Sequence, residues 1–313
     1  MRNLIRKTGL TMQDETRGEQ STMNIVLTVP YVPVFDDKTR TKERGKLAIS
    51  TFSRALDLAL TIAPPSQVIV VLERKIKNYI ATQGIRDLSS SRQCHLLLCD
   101  EFETVGRWYR GIRSAFDGNC ETTLMLPGDI EKIADEEKFR TALRDMAIKT
   151  KANCLTVGDY SSTDPFKEKF DPCLSHPLLE AMFPAAWPAI HQAGIKKVRS
   201  EYFCIGAKAF HAFQEQGWRW LPLDVTMLLM IAVVSESGCE LKRVDLGQVS
   251  DSATREADTA AQQILRFGFQ VWFNGHHIAG KNAEAQKRLL TEKWWPIIEK
   301  ATKELLACIQ TER

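Results

Sequence analysis

The sequence predicts an α/β protein: a mainly parallel sheet flanked by helices, followed by a C-terminal helix. Three observations predict it. Short apolar runs recur, among them NIVLTV (Asn24–Val29), QVIVVL (Gln67–Leu72) and TTLML (Thr122–Leu126). They are continuous rather than alternating, as strands covered on both faces are. Segments with apolar residues at helical spacing separate several of them, which is the alternating order of an α/β fold. The chain has 313 residues, 44% hydrophobic and 26% charged. A chain of that size buries a full core without disulfides or metals to hold it.

The elements follow in order. Asn24–Val29 is a first buried strand, closed by Pro30, and PYVPVFDDKTRTKERG after it reads as a polar, basic loop. Lys46 to Ile62 carries Leu47, Phe52, Leu56, Ala59 and Leu60 near helical spacing, and Pro64-Pro65 stops it. QVIVVL is the second strand, ending at Glu73, and CHLLLC (Cys94–Cys99) the third, ending at Asp100. After Gly106, residues Trp108, Ile112, Ala115 and Phe116 share a helical face. TTLML is the fourth strand, Asp135 to Lys149 a helix, and CLTVGDY another strand.

From Pro165 the pattern changes. DPFKEKFDPCLSHPLLEAMFPAAWP, rich in Pro and aromatics, reads as an irregular surface segment plus a short helix. IKKVRSEYFCIGAKAFHAF is a strand then a helix, and GWRWLPLDVTMLLMIAVVSESG a Trp-rich loop then an apolar helix with Asp224 near its start. CELKRVDLG is a late strand. Trp294, Trp295, Ile297, Ile298 and Leu305 form the stripe of a C-terminal helix, docking on the body or on a second subunit of a homodimer. The expected organisation is an extension over 1–22, a domain over 23–270 and a helical segment over 271–313.

Composition excludes several partners. Net charge is only +3, so no global field points to nucleic acid or a membrane surface. The most apolar run, Val225 to Val234, is shorter than the roughly 20 residues that span a bilayer. The eight cysteines form no C-x-x-C pair and sit among apolar neighbours, which reads as core thiols in a reducing cytoplasm.

Acids cluster where strands run out. Pro30-Tyr31, Glu73, Asp100 and Asp129 all follow strand ends. In open α/β sheets ligands lie beyond those ends, so these residues are expected to line one crevice. The plain alternative is that strands simply end in polar residues. Arg107 and Arg110 are three apart at a helix start, suited to a diphosphate or to a solvated basic face. Adjacent His276 and His277 point apart, which argues against a shared metal.

The order and local pattern over roughly Met23 to Gly268 resemble retaining glycosyltransferases of the GT-A fold, of the mannosylglycerate and glucosylglycerate synthase type. The resemblance rests on LMLPGDIE at the place of an Asp-x-Asp-like segment and Gly106-Arg107-Trp-Tyr-Arg110 at a turn and helix. It also rests on Arg199-Ser-Glu201-Tyr, Leu223-Asp224 and VDLGQVSDS. It implies a nucleotide-diphosphate sugar as donor and a small-molecule or glycan acceptor. It further implies Mg²⁺ or Mn²⁺ held at Asp129, and Glu201 and Asp224 acting near the anomeric carbon. Pro30, Tyr31, Glu73, Gly106, Arg107 and Arg110 would bind the nucleotide and diphosphate. Two departures stand out. Pro127 occupies the place of the first acid, and Ser250 and Asp251 stand where the family has a metal-binding His. Asp251 can replace an imidazole for a hard cation.

Retention by front-face attack needs no protein nucleophile, because the leaving phosphate takes the acceptor proton. Each assignment has a structural alternative: Asp129 filling a Pro-Gly-Asp turn, Asp224 capping a helix, Glu201 pairing with Arg199 or Lys197. Two other functions compete. One is a catalytically degenerate binding protein on the same fold. The other is a sugar nucleotidyltransferase, disfavoured because no Gly cluster follows the first strand.

Overall fold

The computed structural model describes residues 23–29, 34, 36–73, 78–99, 106–130, 132–216, 223–250, 257–279 and 284–310. The strands are β1 (Met23–Thr28), β2 (Val68–Glu73), β3 (His95–Cys99), β4 (Thr122–Pro127), β5 (Lys132–Ile133), β6 (Cys154–Ser162), β7 (Phe203–Gly206) and β8 (Glu240–Ser250). They form one sheet in the order β3-β2-β1-β4-β7-β6-β8-β5. β1 to β4 pair only in parallel with one another. β7 runs against both β4 and β6, β8 is parallel to β6, and β5 is antiparallel to β8. The expected α/β class is found, with one half of the sheet purely parallel and the other mixed.

Helices cover both faces. On one lie α1 (Lys38–Leu60), α2 (Tyr79–Ser91) and α4 (Glu136–Lys149). They bury Phe52, Leu56, Ile85, Phe139 and Leu143 against Ile25, Leu27, Val68, Val70, Leu124 and Leu126. On the other lie α3 (Arg107–Asp117), α5 (Pro165–Phe170), α6 (His176–Met182), α7 (Trp187–Gln192), α8 (Ala207–Gln214), α9 (Leu223–Glu236), α10 (Ala257–Ala279) and α11 (Glu284–Gln310). They meet Val26, Ile69, Val71, Met125, Leu155, Val157 and Phe203. Successive residues of β1, β2 and β4 thus enter opposite cores, which is why those runs are continuously apolar.

Three sequence expectations change. First, the helix read from Lys46 begins at Lys38, because Asp37 caps it by accepting from the Thr39 N–H at 2.8 Å. Half of the supposed basic loop is therefore helix. Second, α2 lies between β2 and β3, where no helix was read. It is capped by Asn78, buried at 1% exposure, whose Nδ2 donates to the Thr41 carbonyl at 3.0 Å. Parallel neighbours demand such a crossover. Third, the Pro-rich segment after Pro165, read as irregular with one short helix, is mostly helical, with one face buried and the other exposed. Pro165, Pro172, Pro177 and Pro188 each stand at the first positions of α5, a π-helical turn at Asp171–Ser175, α6 and α7. Pro165 and Pro188 stand at helix starts, where the missing N–H costs nothing, whereas Pro172 and Pro177 lie inside one continuous helical run that widens to a π-helical turn at Asp171–Ser175. Phe166, Phe170, Leu174, Leu178 and Leu179 from this segment are buried.

The expected boundary at residue 270 falls inside α10. α10 and α11 enter the same core as the sheet, through Ile264, Phe267, Val271, Ile298 and Leu305. Gly268 lets Trp294 and Ile298 close on the α10 backbone, and the Trp294 indole N–H donates to the Gly268 carbonyl at 2.7 Å. Residues 1–22 lie outside the described residues. Among the described residues, no helix is long and apolar enough to cross a membrane.

Candidate active site at the carboxyl rim of the sheet

The register aligns the strand ends. Thr28 of β1 sits opposite Val71 of β2 and Pro127 of β4, and Glu73 of β2 opposite Cys99 of β3. The ladder continues past the strands: the Gly128 N–H donates to the Thr28 carbonyl at 2.8 Å, and the Val29 N–H to the Val71 carbonyl at 3.2 Å. The carboxyl ends of β1 to β4 therefore lie side by side. Asp129 follows the end of β4 with an exposed side chain. Glu73 reaches the rim by its backbone, and its side chain lies outside the described residues, as do Pro30, Tyr31 and Asp100.

α3 starts at this rim, since it returns the chain from the end of β3 to the start of β4 and packs on β1, β2 and β4. Gly106 is its N-cap and offers no side chain to the first-turn N–H groups. No acid occupies that turn. Arg110 is exposed, and the Arg107 side chain lies outside the described residues. Among the described residues no side chain caps this helix start, and its first-turn N–H groups are the kind of donors that suit an anion.

Glu201 arrives from the other direction. Phe203 of β7 pairs antiparallel with Met125, where the ladder ends, so the chain that carries Glu201 enters β7 from the same rim at which β4 runs out. The turn that carries Glu201 is pinned from below. Asp159 of β6, 2% exposed, accepts from the Lys197 N–H at 2.7 Å and the Lys196 N–H at 3.0 Å, and also pairs with the Arg243 guanidinium. Ser200 Oγ donates to the Gly158 carbonyl at 2.6 Å and accepts from the Tyr202 N–H at 3.2 Å. The two cations considered as partners of Glu201 pair elsewhere. Lys197 Nζ meets Glu168 at 2.8 Å, and Arg199 Nε meets the buried Asp171 at 3.1 Å while lying 3.7 Å over the Phe170 ring. Glu201 itself is half-buried.

Sequence reading missed Asp159, Asp171, Glu168 and Arg243. One signal was available: TVGDY places a carboxylate in an otherwise apolar strand, and such a group persists in a core only if bonded there. The Asp171 and Arg243 pairings join residues far apart in the chain and left no local mark.

Asp224 belongs to the first turn of α9. The far end of that helix is fixed at the start of β6, where the Cys239 N–H donates to the Val234 carbonyl at 3.2 Å and the Glu240 N–H to the Asn153 carbonyl at 2.9 Å. Fourteen residues extend about 21 Å, and Asp224 lies in the turn of α9 farthest from that anchor. Its side chain and the whole of Asp251 lie outside the described residues. Ser250, just before Asp251, pairs with Lys132, three residues beyond Asp129.

Thiol chemistry is suppressed. All eight cysteines are free. Burial pushes the Cys204 thiol up to about 12, and burial with Glu304 alongside takes Cys173 to about 11. Neither forms a thiolate nucleophile near neutral pH.

The carboxylates around the pinned turn make stability pH-dependent. Burial works to raise Glu168, but hydrogen bonds from Lys197 and the Ser162 N–H, with the lysine charges, hold it below its ordinary 4.5. The Gly247 N–H and Lys138 hold Asp245 below its ordinary 3.8. For both groups the unfolded chain binds the proton more readily, so their stabilisation is complete above the ordinary value and is lost as pH falls through the lower folded value. Burial raises Glu236, which acts in the opposite sense. Melting temperature is therefore expected to fall below pH 4.5, and Glu168→Gln to flatten part of that slope; identical slopes in the two proteins would remove Glu168 from this role.

A groove of about 570 Å³ lies elsewhere, along the second half of α1, lined by Ser50, Ser53, Arg54, Asp57, Leu88 and Arg140 among others. None of the residues expected at the rim lines it.

No family model matches the chain, and no curated protein does. Among solved structures, it is similar to a proposed nucleotide-diphospho-sugar transferase from Desulfovibrio desulfuricans G20. That match has 12% identity and a TM-score of 0.39, covering 90% of this chain and 98% of that one. A likeness so distant carries no argument about the reaction, which must be read from the rim itself.

Proposed function

We propose that the carboxyl rim binds a nucleotide-diphosphate sugar and transfers the sugar, with retention, to a small-molecule or glycan acceptor. The observation that supports this most is the antiparallel seating of β7 on β4. The ladder ends at Met125 and Phe203, so the chain that carries Glu201 enters β7 from the rim at which β4 runs out toward Asp129. Breaking an anomeric C–O bond leaves negative charge on the diphosphate and positive character on carbon. The first needs donors or a cation, and the second needs a carboxylate near the ring. The start of α3, with Gly106, Arg107 and Arg110, suits the diphosphate. Glu201 suits the sugar, and Asp224 at the head of α9 the sugar hydroxyls and acceptor.

Among the described residues no three His, Cys, Asp or Glu side chains gather as a closed metal cage. One exposed carboxylate at the rim fits Mg²⁺ or Mn²⁺ instead, because such ions are commonly held by one or two carboxylates plus substrate phosphates. Asp129 and Asp251 would hold the ion, which when bound neutralises charge on the leaving diphosphate.

The test is a thermal-shift screen of UDP-, GDP- and ADP-sugars with and without Mn²⁺. A ligand at 100 times its Kd stabilises by about 2.7 kcal/mol. One donor is expected to raise the melting temperature, and Asp129→Ala to remove the metal-dependent part of the rise. Asp224→Ala is expected to keep the nucleotide shift and lose sugar transfer at least a hundredfold. A donor that shifts melting but releases no nucleoside diphosphate with any acceptor would favour the binding-protein reading. A screen in which no donor shifts melting would remove the proposal altogether.

A further inference from the structure

We propose that the outer face of α10 is the contact through which two copies of this chain associate. Leu265, Phe269 and Phe273 are 49%, 51% and 41% exposed, and Trp295 of α11 is 56% exposed. The first three lie four residues apart and form a single ridge along the helix. Phe269 stacks on Trp272 at 6.1 Å between centroids, and Trp295 leans on Trp294, the residue bonded to Gly268 beside the ridge. Together the four expose about 400 Å² of apolar surface, taking typical side-chain areas. That is the size of the largest apolar patch on an ordinary monomer, a patch that is often functional.

Area and shape select a second copy as the occupant. A standard interface buries about 800 Å² per partner, a little over half of it apolar. The exposed ridge supplies that apolar share, and the polar flank of α11 supplies the rest. A twofold interface must complement itself. Ridges spaced four apart interdigitate with identical ridges. The flank carries both signs in internal pairs, Arg288 with Glu292 at 2.8 Å and Lys303 with Glu299 at 2.7 Å, so copies meet without a block of like charge. An interfacial membrane helix instead sets a polar face rich in Lys and Arg beside its aromatics. On α10 the described exposed polar neighbours of the ridge are Gln262 and Arg266.

Sedimentation velocity on the full chain tests this, independently of any chemistry at the rim. The wild type is expected to sediment as a dimer of 35.5 kDa chains. Phe269→Glu is expected to raise the dimer dissociation constant by roughly a hundredfold or more, since each interface carries the change twice. Trp295→Glu provides a second, separate disruption, and circular dichroism checks that both variants fold. Phe269→Cys should cross-link through a bismaleimide where Tyr79→Cys, on α2 and 75% exposed, does not. A wild type that stays monomeric at every concentration overturns the proposal. So does a dimer indifferent to both glutamates. So does a monomer that binds phosphatidylserine vesicles and loses them on Phe269→Glu, because that assigns the ridge to a lipid surface.

Discussion

Gly206→Ala is expected to destabilise the protein by about 4 kcal/mol or more and to lower its melting temperature by roughly 10 °C, or to prevent folding. Gly206 ends β7 and precedes α8. A β-carbon there would run into the carbonyls of Lys151 and Ala152. Those atoms cannot yield, because the Ala152 carbonyl accepts from the Lys208 N–H at 2.8 Å and the Ala209 N–H at 3.2 Å. The backbone of α8 thus docks directly on the chain before β6, with room for hydrogen only. Gly118→Ala is the control: its β-carbon would meet only the Ala115 carbonyl at 3.3 Å and the Ser114 carbonyl at 3.7 Å. Denaturant unfolding of the two variants decides the matter, and similar small losses in both would show that the β6–α8 contact is adaptable.

Asp159→Ala is expected to cost about 3–5 kcal/mol, the loss that follows removal of one partner from a buried ion pair. Asp159 is 2% exposed and gathers two backbone N–H groups and the Arg243 side chain. Without the carboxylate those donors keep their desolvation and lose their acceptor. The loss is not confined to stability. Residues 196 and 197 lead straight into Ser200 and Glu201, so the turn that presents Glu201 at the rim loses its anchor. Urea unfolding should show the destabilisation, and any donor-induced thermal shift should weaken in the same variant. Asp159→Asn should recover part of both, since an amide oxygen still accepts from the two N–H groups. A variant as stable as wild type would mean that Ser200 and Tyr202 hold the turn alone.

Much of the fold could be read from local pattern. The five- and six-residue apolar runs marked β1, β2 and β4, and the 3.6-residue spacing marked α3 and α4, the latter with its Asp135 cap. What escaped was also local in part. Asp37 and Asn78 are capping residues that announce α1 and α2. Pro165 and Pro188 stand in the first turns of helices rather than marking irregular chain. The candidate acids were legible as residues that follow apolar runs, and Asp129 does emerge at the rim of the parallel strands.

The sequence by itself determined which segments are strands and helices and which polar groups stand at their ends. Those choices depend on neighbours a few residues apart, through side-chain periodicity, caps and turns. Only the tertiary structure decided that β7 runs against β4, that the chain carrying Glu201 therefore enters from the carboxyl rim, and that Arg199 pairs with Asp171 rather than with Glu201. These are choices among contacts far apart along the chain. Connections of similar length permit several strand orders and directions, and the one adopted is set by which packing buries both faces of the sheet and pairs buried charges such as Asp159 and Asp171.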